Sequence, residues 1–436
     1  MRRARVFYGW WVVLASGFAL LIGPVPVLVF SFGVFLKPLA TEFHATRGAT
    51  SLALTLHNTI AGFGIAFAGR LVDRFGPRRV ILPAMIMTGL ILLSSYLCSA
   101  SIWQLYAFFL AAGLFGSGVA PVSFATVVSH WFDRRRGLAL GLMLLGMGLG
   151  AVIMPSVAER LIEGFGWRFA YAAIGTAMLL VAVPVTGALL KDDPEQMGLV
   201  PDGASRAATL PALTRDNPGC SLREALHART FWLLLCAFVL VSASVHACFT
   251  HIAAILTDRG SSVQAAALAS SLFGGGVLIG RAASGYLLDR FFAPRVAAVI
   301  FGCAAAGVAL LGTTTSQPLA FIAALLIGLG WGTEGDVKAY LISRYFGLRS
   351  FGAIFGFTFA AFVLAGGLGA YLMGAVFDAK RSYGFGLTLA CIGVSLSAAL
   401  IMLLGPYRYR IGTPVEARPD FEMLSSESQY PQAQPE

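Results

Sequence analysis

Four ionisable residues stand inside long apolar stretches of this chain: Arg281, Glu334, Asp336 and Lys338. A charge in hydrocarbon costs at least about 2.5–3.5 kcal/mol on insertion scales, so such residues are kept for a partner or a task. A guanidinium matches the two-oxygen fork of a carboxylate, which makes Arg281 a candidate anchor for an organic anion. Arg281 precedes Asp289 by eight residues, about 12 Å along a helix, too deep for its head to reach the membrane surface in full. Its partner is then a bound anion or one of Glu334 and Asp336. Glu334 and Lys338 are spaced i,i+4 and share a helix face, whereas Asp336 lies about 200° around from Glu334. Glu334 reads as a proton acceptor, because burial penalises a charged carboxyl, or as the neutraliser of Lys338. Lys338 lies near enough to one membrane surface to snorkel. His251 reads as a donor to substrate or a proton carrier near neutral pH, or as a hydrogen-bonded structural histidine, the role expected of His246. His57 and Asn58 read first as helix-to-helix hydrogen bonders and second as substrate contacts. The candidate substrate-binding set is thus Arg281, His251, Asn58 and His57, and the proton-coupling candidates are Glu334, Asp336 and His251.

The elements that must position these groups follow from composition. The 436 residues are 57% hydrophobic and only 12% charged, where soluble domains carry about a quarter charged residues. Apolar stretches of roughly twenty residues recur with short charged breaks, and each is long enough to cross a ~30 Å hydrocarbon core as a helix. Twelve are expected, at 8–35, 51–68, 80–98, 103–128, 137–158, 169–189, 231–256, 264–288, 296–312, 319–343, 352–376 and 383–404. The first is too long for a secretory signal and lacks a small-residue cleavage site, so it reads as a retained span.

The net charge of +10 points to topology, not to nucleic acid, because the basic residues gather in every second loop. Arg2, Arg3, Arg5, the 70–79 loop, Arg134 to Arg136, the central loop, Arg290, Arg295, Arg344, Arg349, Arg408, Arg410 and Arg418 fall on one side. Lys37, Arg47, Arg160, Arg168, Arg259, Lys380 and Arg381 fall on the other, so both termini are expected in the cytoplasm. Twenty-seven arginines against four lysines suggest a GC-rich bacterium and hence its inner membrane. The six cysteines show no paired or metal-ligand spacing. Free thiols, no metal and no cofactor are expected. The glycines of the fifth span, Gly137, Gly141, Gly146, Gly148 and Gly150, read as close-packing surfaces because no strand–turn–helix context for a phosphate loop surrounds them.

Residues 191–226 form the one long polar stretch inside the chain, with Pro194, Pro201, Pro211 and Pro218. The segment divides the chain into a six-helix bundle at 1–190, a cytoplasmic loop at 191–228, a second six-helix bundle at 229–404 and a disordered cytoplasmic tail at 405–436. Gly69, Asp73, Arg74 and Phe75 recur 216 residues later as Gly285, Asp289, Arg290 and Phe291, each set ending the second helix of its half. Ser129, Phe132 and Arg135 recur as Ser343, Phe346 and Arg349 at an offset of 214. Parallel halves of this kind hold a substrate near the bilayer midplane and alternate its access by rocking. The counterpart of Arg281 is Ile65, and those of Glu334, Asp336 and Lys338 are Ala120, Val122 and Phe124, so a charged second half should face an apolar first half.

GRLVDRFGPRRV at 69–80 closely resembles the cytoplasmic loop signature of the major facilitator superfamily, with Pro77 in place of the usual basic residue. YGWWVVLASGF near the start, HWFDRRRGLALG, DPEQMGLVPDG and EGDVKAYLISRYFGLRSFG are similar to the bacterial monocarboxylate and oxalate/formate carriers of that superfamily, and the likeness spans nearly the whole chain before residue 405. The resemblance implies an all-α membrane protein of twelve transmembrane helices in two pseudo-symmetric halves, monomeric, with no enzymatic step. It implies a cytoplasmic gate at Asp73, Arg74, Arg78, Asp289 and Arg290, and it matches Arg281 to an arginine that binds substrate carboxylate. Val277 and Phe30 stand where animal monocarboxylate carriers place an aspartate and a lysine. The stretch 352–376 lacks the lysine of oxalate carriers, which favours a monoanion.

The expected function is secondary transport of a small monocarboxylate, lactate-like or pyruvate-like, by proton coupling or anion exchange, with a lipid bilayer and an organic anion as partners. The alternatives are export of a larger aromatic or amphipathic acid and a non-transporting membrane sensor.

Overall fold

A computed structural model describes residues 7–99, 101–132, 135–202, 219–347 and 349–407. Arg2, Arg3, Arg5, Arg134, most of the central loop and the tail from 408 onward lie outside the described residues. Fifteen α-helices follow in chain order: α1 (Gly9–Leu21), α2 (Phe32–Glu42), α3 (Arg47–Phe75), α4 (Pro77–Leu93), α5 (Ile102–Gly116), α6 (Pro121–Trp131), α7 (Arg136–Ala177), α8 (Val183–Leu189), α9 (Leu222–His227), α10 (Arg229–Asp258), α11 (Val263–Arg290), α12 (Ala293–Thr313), α13 (Gln317–Phe346), α14 (Phe351–Lys380) and α15 (Gly384–Met402). Eleven runs among the described residues are long and apolar enough to cross a membrane. One of them, the 52-residue stretch Leu138–Leu189, bends at Gly166, whose φ of 84° breaks the helix. A straight helix of that length would reach about 78 Å, more than twice the hydrocarbon core. The bend makes it two crossings and the chain twelve, six in each half.

The first crossing is longer than 8–35. It runs as α1, passes through a π-helical turn at Val25–Phe30 and continues as α2 to Glu42. Pro24 and Pro26 lack an amide donor, and Ser31 N donates five residues back to Pro26 O at 3.1 Å, the wide turn that such a gap favours. The second crossing likewise begins at Arg47, not 51. Lys37 and Arg47 end the apolar stretches without ending the helices, because a charge at the membrane edge can be paired where it stands.

The two halves meet through α3 against α14, α7 against α11, and α2 against α10. Along α3 and α14 the contact runs from Gly48 beside Asp378, through Thr55 donating to Gly367 O at 2.8 Å, to Gly62 beside Val363. Farther on, a Cβ at Gly69 or Gly356 would meet nothing within 4 Å. Along α7 and α11 it runs from Glu163 and Gln264 (2.9 Å), through Ser156 and Ser271 (2.9 Å), to Gly148 beside Leu278, and then Gly141 and Gly285 meet nothing within 4 Å. The halves form a V, shut at the end that carries residues 42–47, 258–263 and 378–383 and open at the other. Among the described residues, every hydrogen bond and ion pair between the halves lies in the shut part.

Of the glycines expected to pack, Gly146 sits against Gly17 and Gly150 against Leu21 and Pro26, whereas Gly141 faces open space because it lies where the V has widened. The linker is tied to both halves at equivalent points of the repeat: Asp202 N donates to Trp131 O (3.1 Å) and Cys220 N to Phe346 O (2.9 Å).

Candidate functional site

At the apex of the V the first crossing turns Phe30 into the second half. Its ring lies 5.2 Å from that of Trp331, 5.6 Å from Phe249 and 6.4 Å from Phe273. These rings close the cleft toward the shut end. His246 extends the layer, its ring 4.1 Å from Trp331, its Nδ1 3.0 Å from Ser242 O and against the bare backbone of Gly366. A Cβ at residue 366 would meet the imidazole, so Gly366 is what allows the ring to lie there.

Below this layer stand the charges. Glu334 and Lys338 are both buried and bound to each other, Nζ to Oε1 at 3.2 Å. Lys338 does not snorkel: its side chain is 1% exposed, and its ammonium lies 4.0 Å from the Phe362 centroid and within 6 Å of the rings of Phe238, Phe355 and Phe359. The face of α13 that carries it packs on α10 and α14 and gives it no route out. Asp336, on a different face, accepts from Ser284 Oγ at 2.8 Å. Arg281 is half-buried on α11, and its Nε has no hydrogen-bond partner. The pairing with Glu334 or Asp336 that its position allowed does not form, because Lys338 and Ser284 hold those carboxylates. What remains is a half-buried cation on α11 that makes no ion pair among the described residues.

His251 is elsewhere. It lies in the shut part, with Nδ1 3.2 Å from Tyr383 Oη and Nε2 3.0 Å from Ala370 O and 3.2 Å from Ser51 Oγ. Arg47 Nη1 donates to the same Tyr383 oxygen at 2.6 Å. The Tyr383 hydroxyl, its oxygen accepting from Arg47, gives its own proton to Nδ1. Nε2 then carries the ring proton and donates to Ala370 O. Arg47 is the hub of this network. Its guanidinium binds both oxygens of Asp258, one of which also takes Lys37 Nζ at 2.5 Å, and lies 3.8 Å from the Phe377 ring. Asp378 accepts from the backbone N–H of Arg47 (3.1 Å) and of Gly48 (2.8 Å) and so caps the start of α3 from the other half, where a negative charge is favoured.

At the open end, Arg74 and Arg290 are exposed in the last turns of α3 and α11. The Arg290 guanidinium rests 3.8 Å from the Tyr286 ring. Arg78 is pinned within its own half, Nη2 donating to Gly187 O at 2.6 Å. Its backbone N–H donates to Asp192 Oδ1 at 2.8 Å, so Asp192 is an anion at the start of α4. The side chains of Asp73 and Asp289 lie outside the described residues. His57 is buried with Nδ1 3.3 Å from Phe109 O, inside the first half, and Asn58 is half-buried. The structure thus brings Arg281, Glu334, Asp336 and Lys338 together and places His251 and His57 apart from them. Arg47, Asp258, Asp378 and Asp192 were not singled out from sequence. Each stands at a helix end, where a charge looks solvated, and the only available signal was that three of them sit on the side poor in charge. Among the described residues no three His, Cys, Asp or Glu side chains converge as a metal site.

Comparison with known proteins agrees with this architecture. Residues 18–370 match the family described as the Major Facilitator Superfamily. The chain is 27% identical to monocarboxylate transporter 13 of Bos taurus over 97% of its own length and 95% of the relative's. It is 30% identical to monocarboxylate transporter 11 of Mus musculus, covering 91% and 87%. With the oxalate:formate antiporter of Oxalobacter formigenes it shares 27%, covering 94% and 93%. Its fold is similar to the crystal structure of a bacterial homolog of the human lysosomal transporter Spinster in an inward-facing and occupied conformation, with a TM-score of 0.67, 18% identity and coverage of 92% and 97%.

Proposed function

The chain belongs to the Major Facilitator Superfamily, a family of membrane transporters and not of enzymes, and on that premise we propose that it carries a small monocarboxylate, lactate-like or pyruvate-like, by alternating access. The observation that carries the reading is Arg281: a half-buried guanidinium in the cleft wall whose Nε is unpartnered while the neighbouring carboxylates are held by Lys338 and Ser284. The substrates printed in the names of the relatives are monocarboxylates and dianionic or monoanionic small acids, which supports the same class. Phe30 and Trp331 supply the apolar wall against which a short hydrocarbon end would rest. The distribution of basic residues supports a cytoplasmic position, in a bacterial cell, for the open end and both termini, which makes this state of the carrier the one open to the inside. Its coupling is to protons or to a counter-anion.

The test is uptake of labelled lactate and pyruvate into liposomes, with and without an imposed inward proton gradient. Arg281→Ala and Arg281→Lys should each lower uptake by about tenfold or more, since a bidentate charged contact is worth about 1.5–3 kcal/mol, while insertion and thermal stability stay unchanged. Wild-type uptake in either variant would remove Arg281 from the site. The breadth of the aromatic layer favours one second reading, a larger aromatic acid as cargo. Competition by a panel of acids of increasing size separates the two.

A further inference from the structure

On the shut side of the aromatic layer, between α2, α7, α10 and α11, lies a cavity of about 390 Å³. Its walls are mostly apolar, with Val34, Ile162 and Ala254 among them, and Glu159 of α7 lines it. Glu159 is 3% exposed, and its Oε1 has no hydrogen-bond partner. Several of the charged and polar groups around it are bound elsewhere. From α2, Lys37 is bound to Asp258 of α10 at 2.5 Å. From α10, the Thr257 hydroxyl donates to Ala253 O at 2.8 Å. From α11, Gln264 donates to Glu163, and Ser271 pairs with Ser156. On α7 itself the exposed Glu163 lies beside Glu159 as a second carboxylate, and the exposed Arg160 is a nearby cation. Among the described residues no cation forms an ion pair with Glu159.

An ionised carboxylate in such a place is penalised far more than the neutral acid. The cavity exists only while α7 and α11, and α2 and α10, are in contact. When that end opens, water enters and the charged form becomes tolerable. The two states of the carrier therefore differ in their affinity for a proton at this residue, and a ligand shifts a two-state balance by that difference. We propose that Glu159 is a proton-binding site built into the closing contact between the halves, loaded as the α7–α11 end shuts, through which a proton gradient drives the alternation. The proposal rests on the carrier reading above. The ligand is a proton and not a metal cation, because a hard cation takes about six or more oxygen ligands and no three-residue acidic cluster is present among the described residues.

The reconstituted protein decides the matter by infrared spectroscopy, which sees the C=O stretch of a neutral carboxyl directly. The wild type at neutral pH should show that band, Glu159→Gln should lose it, and Glu163→Gln should keep it. In liposomes, Glu159→Gln should lose gradient-stimulated uptake by about tenfold or more, while exchange of the same acid at equal pH on both sides stays near the wild-type rate. An unchanged band in Glu159→Gln overturns the proposal, as does full gradient stimulation in that variant or uptake driven by sodium alone. If the wild type carries no tested acid yet the band still vanishes with Glu159→Gln, the substrate reading fails and the proton site stands. Should Glu159→Gln not insert, Glu159→Asp serves: a shifted band supports the site and an unshifted one overturns it.

Discussion

Arg47 and Arg281 bring the same group into opposite situations. Arg47 is bound by Asp258 and Tyr383 and covered by Phe377, so it holds structure together. Arg281 is half-buried and its side chain makes no ion pair or hydrogen bond among the described residues, so its charge is uncommitted. Between these extremes stands the Glu334–Lys338 pair, fully enclosed and tied to itself. Two buried charges that satisfy each other add little, but either one alone is expensive. Lys338→Met should therefore destabilise the protein by about 3–5 kcal/mol, read as a lowered unfolding temperature in detergent. Lys338→Met combined with Glu334→Gln should recover most of the loss. If the double variant is no more stable than Lys338→Met alone, the pair is not what Lys338 is there for. Most of this site was legible as residue types: a charge inside an apolar stretch is conspicuous in sequence. Which charges pair was not, because Arg281 and Lys338 both lie within reach of Glu334 along idealised helices. The choice depends on how α11 and α13 rotate about their axes when they pack.

The element scale was read well in number and less well at the ends. Apolar runs identify a crossing, but a helix continues past them whenever its terminal charges find partners, as Lys37 and Arg47 do. Breaks were unevenly visible. The break between the fifth and sixth spans was expected between 158 and 169 and falls at Gly166, whereas the π-helical turn after Pro24 lies in otherwise helical sequence. Gly166 has φ 84° and ψ 168°, a region open essentially to glycine alone, and a Cβ there would meet nothing within 4 Å. Gly166→Ala isolates backbone strain from packing, and should cost about 1–3 kcal/mol with transport kinetics unaffected. No change in unfolding temperature would mean that the bend can relax into a shape that alanine tolerates.

At the scale of the whole molecule, the shut end is a latch of named contacts: Asp378 capping α3, Asp258 taking Arg47 and Lys37, and His251 reaching Tyr383, Ala370 and Ser51. No comparable set joins the halves at the open end among the described residues. Asp258→Asn leaves Arg47 and Lys37 without their counter-charge and should favour the state in which this end is open. Ser51 is fully buried in the latch. In a cysteine-free background, Ser51→Cys should then react several-fold faster with a membrane-impermeant maleimide when Asp258→Asn is present. Equal labelling would show that the apolar contacts along α3–α14 and α7–α11 keep the end shut without the charges. Composition, span length and repeat were sufficient by themselves to establish a twelve-crossing carrier in two halves, because water, hydrocarbon and helix geometry leave few ways to arrange so apolar a chain. The candidate anion anchor was visible for the same reason. Only the tertiary structure decided which end is shut, that Asp336 is taken by Ser284 and that Glu159 lines a cavity between the halves. Those facts depend on contacts between different helices, and no local pattern in the chain encodes them.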